Sequence, residues 1–175
     1  MYRSISTDRA CYILMPAPTT LIVSKRPDGG YNVMTASWVM PLSRRPPLIA
    51  VAIAPRRYTY ECITKSGEFT VCVLGPEMRD VAMFCGTVSG RDVDKISKLN
   101  LRLVNLTKVS TPGIEGSLAI IGCKLWKDYD GGDHRIVVGE VQEILVKEGV
   151  FEDTWKNVEL LYYYGGEKFI TIKIV

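Results

Sequence analysis

Histidine occurs once in the 175 residues, at position 134, and no two cysteines stand at C-x-x-C spacing. A zinc site therefore has almost no ligands to draw on. No G-x-G-x-x-G leads from a strand pattern into a helix and no G-x-x-x-x-G-K-[ST] occurs, which removes the Rossmann and Walker phosphate devices; any nucleotide must be held another way. A G-x-S-x-G elbow is also missing, and a lone histidine cannot establish a hydrolytic triad. Nowhere do about eighteen apolar residues run together, and the start, MYRSISTDRACYILMP, has neither an apolar h-region nor a cleavage signal. The expectation is a cytoplasmic chain without a membrane segment. Repeats and low-complexity tracts are lacking as well. The formal charge of +3 falls short of the basic stripe that nucleic-acid binders carry, which disfavours nucleic acid as a partner.

What is present is an ordinary globular composition, 47% hydrophobic and 23% charged, in a length that suits one domain over residues 1–175. The cysteine count, five, is odd, and most sit inside apolar runs such as TVCVL, so buried free thiols are expected and disulfides are not. Residues 19–26 and 31–39 read as a hairpin around the turn PDGG. The proline-bounded run at 46–55 reads as a strand buried on both faces. Further strands are expected at 68–75, 101–109, 117–130, 134–146 and 168–175; in the last, Ile170, Ile172 and Ile174 alternate with Thr171 and Lys173. Short helices are expected after Arg57, with Thr59 as N-cap and Gly67 just past the end, and at 78–86 and 92–99. Many strands joined by tight turns cannot make parallel crossovers, so the fold class is mostly β: an antiparallel barrel with a few short peripheral helices.

Three patches hold more polar groups than their surroundings explain. In NVMTASWVMPLSRRPP, alternation places Thr35, Ser37 and Val39 on one strand face and Met34, Ala36 and Trp38 on the other, with Asn32 before and Ser43 in the exit; the row is either a heterocycle edge site or a solvent face. In PRRYT, two guanidinium groups stand beside a helix N-terminus and a hydroxyl, which makes an anion site or two exposed arginines next to a cap. In FCGTVSGRDVDK, Gly86 and Gly90 allow close backbone approach to a ligand and Ser89 and Lys95 offer contacts; a solvated loop explains the same letters. His134, after GGD, is either a turn residue or a binding group whose imidazole suits polar recognition.

The segments NVMTASWVMPLSRRPPLIAVAI, RRYTYECITKSGEFTVCVL, SGRDVDKI and GDHRIVVGEV, in that order, with LLYYYGGEKFITI near the end, resemble the flavin reductase-like FMN-binding split-barrel family, which includes flavoredoxin and the small reductase components of two-component flavin monooxygenases. The resemblance implies an open, Greek-key split barrel that forms a homodimer with FMN in a groove. By it, Asn32 and the stretch Thr35, Ala36, Ser37, Trp38 and Val39 contact the flavin, with Ser43 nearby. Arg57, Tyr58 and Thr59 hold the phosphate, while Phe84, Ser89, Gly90 and Lys95 close the site. Cys72 stands where the family often carries an asparagine, Tyr164 covers the ring or packs, and His134 meets the nicotinamide. The implied activity is an NAD(P)H-dependent flavin reductase that passes hydride to the flavin N5. The alternative is a flavoredoxin-like electron carrier reduced by a protein partner.

Overall fold

The computed structural model describes residues 1–173, so Ile174 of the expected last strand lies outside the described residues. In chain order the elements are α1 (Ala10–Ile13), β1 (Ala17–Pro18), β2 (Thr20–Lys25), β3 (Tyr31–Ala36), β4 (Val39–Arg44), β5 (Pro47–Ile53), α2 (Tyr58–Ser66), β6 (Glu68–Val73), α3 (Arg79–Thr87) and α4 (Lys95–Lys98). These are followed by β7 (Leu103–Val104), β8 (Gly113–Ile114), β9 (Ala119–Asp130), β10 (Arg135–Val146), β11 (Glu159–Gly165) and β12 (Lys168–Lys173). No helix among the described residues is long and apolar enough to cross a membrane.

The main sheet is antiparallel and seven-stranded, in the order β3-β2-β6-β9-β10-β5-β4. Its two outermost strands, β3 and β4, are consecutive in sequence and joined only by Ser37 and Trp38. Three Cα steps of about 3.8 Å each span at most about 11 Å, so the two edges of the sheet must curl until they nearly meet. The result is a barrel left open at one seam. Two register shifts between β9 and β10, at Val138/Gly139 and at Val141/Glu143, add the local twist such curling needs. Gly139 lies where the ring of Phe69 passes; a Cβ there would fall 2.4 Å from Phe69 Cζ.

Side-chain alternation then builds a core on both faces. Along β2, Leu21 and Val23 join one cluster with Val33, Cys72, Leu74 and Ile114, while Ile22 joins Val51, Ile53, Ile63, Phe69 and Val137 in the other. Helix α2 supplies Ile63 to the second cluster and α3 supplies Ala82 and Cys85 to the first. A separate three-stranded sheet, β1-β11-β12, brings the C-terminal hairpin across the first cluster through Leu161 and Phe169.

Several local expectations change. The expected strand 31–39 stops at Ala36, because the chain must leave one sheet edge and cross to the other. The expected strand 101–109 shrinks to Leu103–Val104. Its apolar residues Leu101, Val104 and Leu106 pack on the core, but its backbone is held by side chains: Thr107 N and Lys108 N donate to Glu143, and Ser110 N donates to Glu68. The helix at 92–99 is one turn, capped by Asp94, whose Oδ1 accepts from Ile96 N and Ser97 N. Thr59 is not the N-cap of α2. Arg57 holds that place with extended backbone (φ −72°, ψ 134°), and Thr59 lies inside the helix, where its hydroxyl accepts from Asn32 Nδ2 at 2.7 Å. Gly67 does end α2 in the left-handed conformation, φ +72°.

Candidate functional site

The seam of the barrel is also where the molecule is hollow. A cavity of about 330 Å³ is walled by the β3 end and the Ser37–Trp38 crossing, by Ala52, Ile53 and Ala54 at the end of β5, by the C-terminal turn of α3, by His134, and by Tyr163 and Phe169 of the C-terminal hairpin. A second cavity of about 200 Å³ runs from Asn32 along the start of α2 to Ser89, Gly90 and Lys95. Met34, Arg57 and Gly86 line both, so the two form one groove. The first part is mixed, with Met34, Trp38, Ile53, Met83 and Phe169 beside Ser37, Thr87 and His134. The second carries Arg56, Arg57, Arg91 and Lys95 and no carboxylate.

These four cations are not equivalent. Arg91 is committed to the protein: it donates to the Arg56 carbonyl at 3.0 Å and to Glu61 at 2.9 Å, and stacks 4.9 Å from the Tyr58 ring centroid. Lys95 is 4% exposed, and its Nζ donates to the carbonyls of Val33 (2.7 Å) and Cys85 (2.9 Å), bracing β3 against α3. Burial pushes its ammonium below the ordinary lysine value, and Arg57 adds to that. Arg56 and Arg57 are exposed at the N-terminal end of α2, where helix amide groups lack intrahelical partners. A buried ammonium hydrogen-bonded only to neutral carbonyls, next to two exposed guanidinium groups, makes a pocket that favours a multiply charged anion.

One buried polar atom in the pocket lacks a partner. Asn32 is 4% exposed; its Nδ2 donates to Thr59, but its Oδ1 accepts nothing. Gly90 makes room for it, since a Cβ on that residue would come within 1.8 Å of Oδ1. An orphan acceptor in a cationic groove fits a ligand that brings a hydroxyl or N–H donor along with its negative charge.

At the other end, the His134 ring lies 4.8 Å from the Trp38 ring, tilted by 39°, and its Nδ1 is 2.7 Å from Asp133 Oδ1. That hydrogen bond holds the Asp133 carboxyl below its usual range. Thr35 lines the cavity, yet its hydroxyl donates to the Ala82 carbonyl at 2.5 Å, so its side chain is spent on packing β3 against α3.

The structure thus gathers Asn32, Thr35, Ala36, Ser37, Trp38, Arg57, Tyr58, Thr59, Ser89, Gly90, Lys95 and His134 around one groove. Five expected contacts lie elsewhere. Cys72 is fully buried in the core, where its sulfur accepts from Ile114 N, and burial pushes its thiol up to about 11. Val39 packs on the core from β4, and Ser43 sits at that strand's far end, accepting from Arg45 N. Phe84 is on α3 but lines neither cavity. Tyr164 is 53% exposed and points away; its neighbour Tyr163 takes the wall position, its ring 5.8 Å from that of Phe169. Strand alternation in β11, not anticipated from sequence, decides which tyrosine faces in. Arg56, the other guanidinium of the RR pair, also lines the groove, and so do Met83, Thr87 and Phe169, which carry no signal in the sequence.

Comparison with known proteins is consistent in kind. Residues 12–171 match a family model described as flavin reductase like domain. A flavin reductase of Pseudomonas putida is 32% identical over 151 residues, covering 86% of this chain and 81% of that protein. The crystal structure of an FMN-binding protein from Thermus thermophilus with bound 1-cyclohex-2-enone superposes with a TM-score of 0.85 at 26% identity, over 98% of this chain and 94% of the other. Flavoredoxin of Desulfovibrio vulgaris shares the fold at a TM-score of 0.88 and 24% identity, over 100% and 95% of the two chains.

Proposed function

The chain belongs to the flavin reductase-like family, and on that premise we propose that it binds FMN along the groove and uses it to pass electrons from NAD(P)H to an acceptor. The observation that carries this reading is the carboxylate-free cationic pocket with the orphan Asn32 Oδ1, continuous with a larger cavity of mixed apolar and polar lining. One end suits a phosphate, the other a flat ring with a polar edge. When bound, FMN supplies the redox chemistry, accepting hydride at its N5; the protein supplies binding, orientation and a dry face.

In this reading Arg57, Arg56 and the first amides of α2 take the phosphate. Lys95 contributes positive potential from beneath while holding β3 to α3. Asn32 Oδ1 accepts from a hydroxyl of the ribityl chain, with Gly90 giving it room. The Ser37–Trp38 crossing and Ala52–Ala54 line the ring, and Met83, Tyr163 and Phe169 exclude water from its edge. His134 and Trp38, stacked together at the mouth, receive the nicotinamide. Hydride transfer needs no proton from the protein, so His134 orients the donor. We further propose a homodimer, with Met40 and Leu42 of β4 exposed beside the seam as the surface a second copy would cover.

Fluorescence titration with FMN tests the binding assignment. Arg57→Ala should weaken FMN by more than about 1 kcal/mol, a value that charged hydrogen bonds usually exceed, and leave riboflavin, which lacks the phosphate, nearly unaffected. An equal effect on both would move the phosphate away from α2.

A further inference from the structure

The turn that carries His134 is short and rich in glycine. It contains Gly131 and Gly132, the latter at φ +86°, closed by Gly131 N donating to the His134 carbonyl and Gly132 N to Asp130 Oδ1. Just outside the turn, and outside both cavities, lies a set of side chains that the flavin reading does not use. Asp128 on β9 and Arg135 on β10 form a cross-strand diagonal pair. Arg135 Nε donates to Asp128 Oδ1 at 2.9 Å, and a second nitrogen reaches Asp130 at 3.4 Å. The other oxygen of Asp128 accepts from the Tyr60 hydroxyl at 2.5 Å.

Tyr60 belongs to α2, the helix whose N-cap is Arg57. One carboxylate therefore ties the anion-facing helix to both strands of the hairpin that presents His134. Asp128 and Arg135 are mostly buried, at 19% and 27% side-chain exposure, so water screens this pair less than the other ion pairs on the surface. The hydrogen bond to Asp128 also holds the Tyr60 phenol above its ordinary value, so Tyr60 remains a donor at neutral pH.

We propose that Asp128, with Tyr60 and Arg135, is a positioning clasp that fixes the His134 turn against Trp38 at the mouth of the groove. Its consequence for turnover rests on the flavin reductase reading above; the clasp itself does not. None of the three lines the groove, so each acts through His134.

The test uses the full-length chain with Trp126→Phe and Trp155→Phe, which leaves Trp38 as the sole tryptophan. Without added flavin, acrylamide quenching of Trp38 should rise about twofold in His134→Ala, reach the same level in Asp128→Asn, and rise no further in the double variant, because linked residues do not add. Tyr60→Phe, which keeps the Asp128–Arg135 pair, should give a smaller rise. With FMN loaded, Asp128→Asn should raise the KM for the nicotinamide nucleotide by the same factor as His134→Ala, with kcat and FMN affinity changed less than about twofold. Native-level quenching in Asp128→Asn overturns the clasp, whether or not the melting temperature falls. So does an effect that adds to that of His134→Ala, and so does unchanged quenching in His134→Ala. Wild-type protein that neither NADH nor NADPH reduces counts against the flavin reductase reading alone and leaves the quenching result standing.

Discussion

Gly90 has no side chain because Asn32 occupies the space one would need. Gly90→Ala forces the Asn32 amide to move and should cost about 1–3 kcal/mol of stability by overpacking, with a parallel loss of FMN affinity; urea unfolding and FMN titration check both. His134 is the other residue whose meaning depends on its neighbours. After GGD, a turn histidine and a working one read alike in sequence; the structure sets the ring beside Trp38 on the cavity wall. His134→Ala should raise the KM for NAD(P)H by roughly three- to tenfold, the range of one lost hydrogen bond, with FMN still bound. Steady-state kinetics at saturating FMN decide it, and an unchanged KM removes His134 from the site. Of the residues the structure gathers around the groove, those in polar clusters were legible, Asn32, Arg57 and Gly90 among them. Cys72 and Tyr164 lie outside the groove because the face a strand residue takes depends on register, which letters alone do not fix. Met83 and Phe169 gave no signal, since apolar wall residues look like core.

Among the elements, β2, β6, β9 and β10 were legible from their apolar runs, and α2 from its terminal glycine. The break at Ser37–Trp38 was not. Nothing in TASWV marks a chain crossing from one sheet edge to the other; that follows from strand order, a non-local property. The seam it creates is nonetheless the element that makes the groove. The single turn α4 illustrates a different balance: four residues cannot hold as a helix alone, and Asp94 stabilises it by accepting from Ile96, Ser97 and the Ser97 hydroxyl. Those hydrogen bonds hold the Asp94 carboxyl below its ordinary value. A carboxylate with a lowered folded-state pKa contributes fully above its unfolded value of about 4, and that contribution fades as pH falls through the folded value. Asp94→Ala should therefore cost about 1 kcal/mol at pH near 7, as lost caps do, with a smaller difference from wild type near pH 3. Urea unfolding of both proteins at the two pH values measures it; a difference that grows on acidification would contradict the capping account.

At the scale of the whole molecule, the mostly β, antiparallel architecture was legible from strand count and turn chemistry, and the two-faced core from alternation. Burial sets the chemistry of the thiols. Cys72 and Cys85 are pushed up to about 11 and Cys123 to about 12 by loss of water, and Cys62 is also raised, while Cys11 alone is partly exposed. A thiol-reactive disulfide reagent at neutral pH should titrate Cys11 rapidly in the native protein and all five cysteines only after unfolding. Fast reaction of more than one thiol would mean the core opens readily. The central claim joins the cationic pocket and the larger cavity beside it into one flavin site reduced by a nicotinamide nucleotide. An anaerobic absorbance titration of the FMN-loaded protein with NADH and, separately, with NADPH tests it most directly. The account predicts a yellow protein whose flavin absorbance is bleached by at least one of the two; a protein that stays colourless after FMN is added, or stays yellow with both, would contradict it.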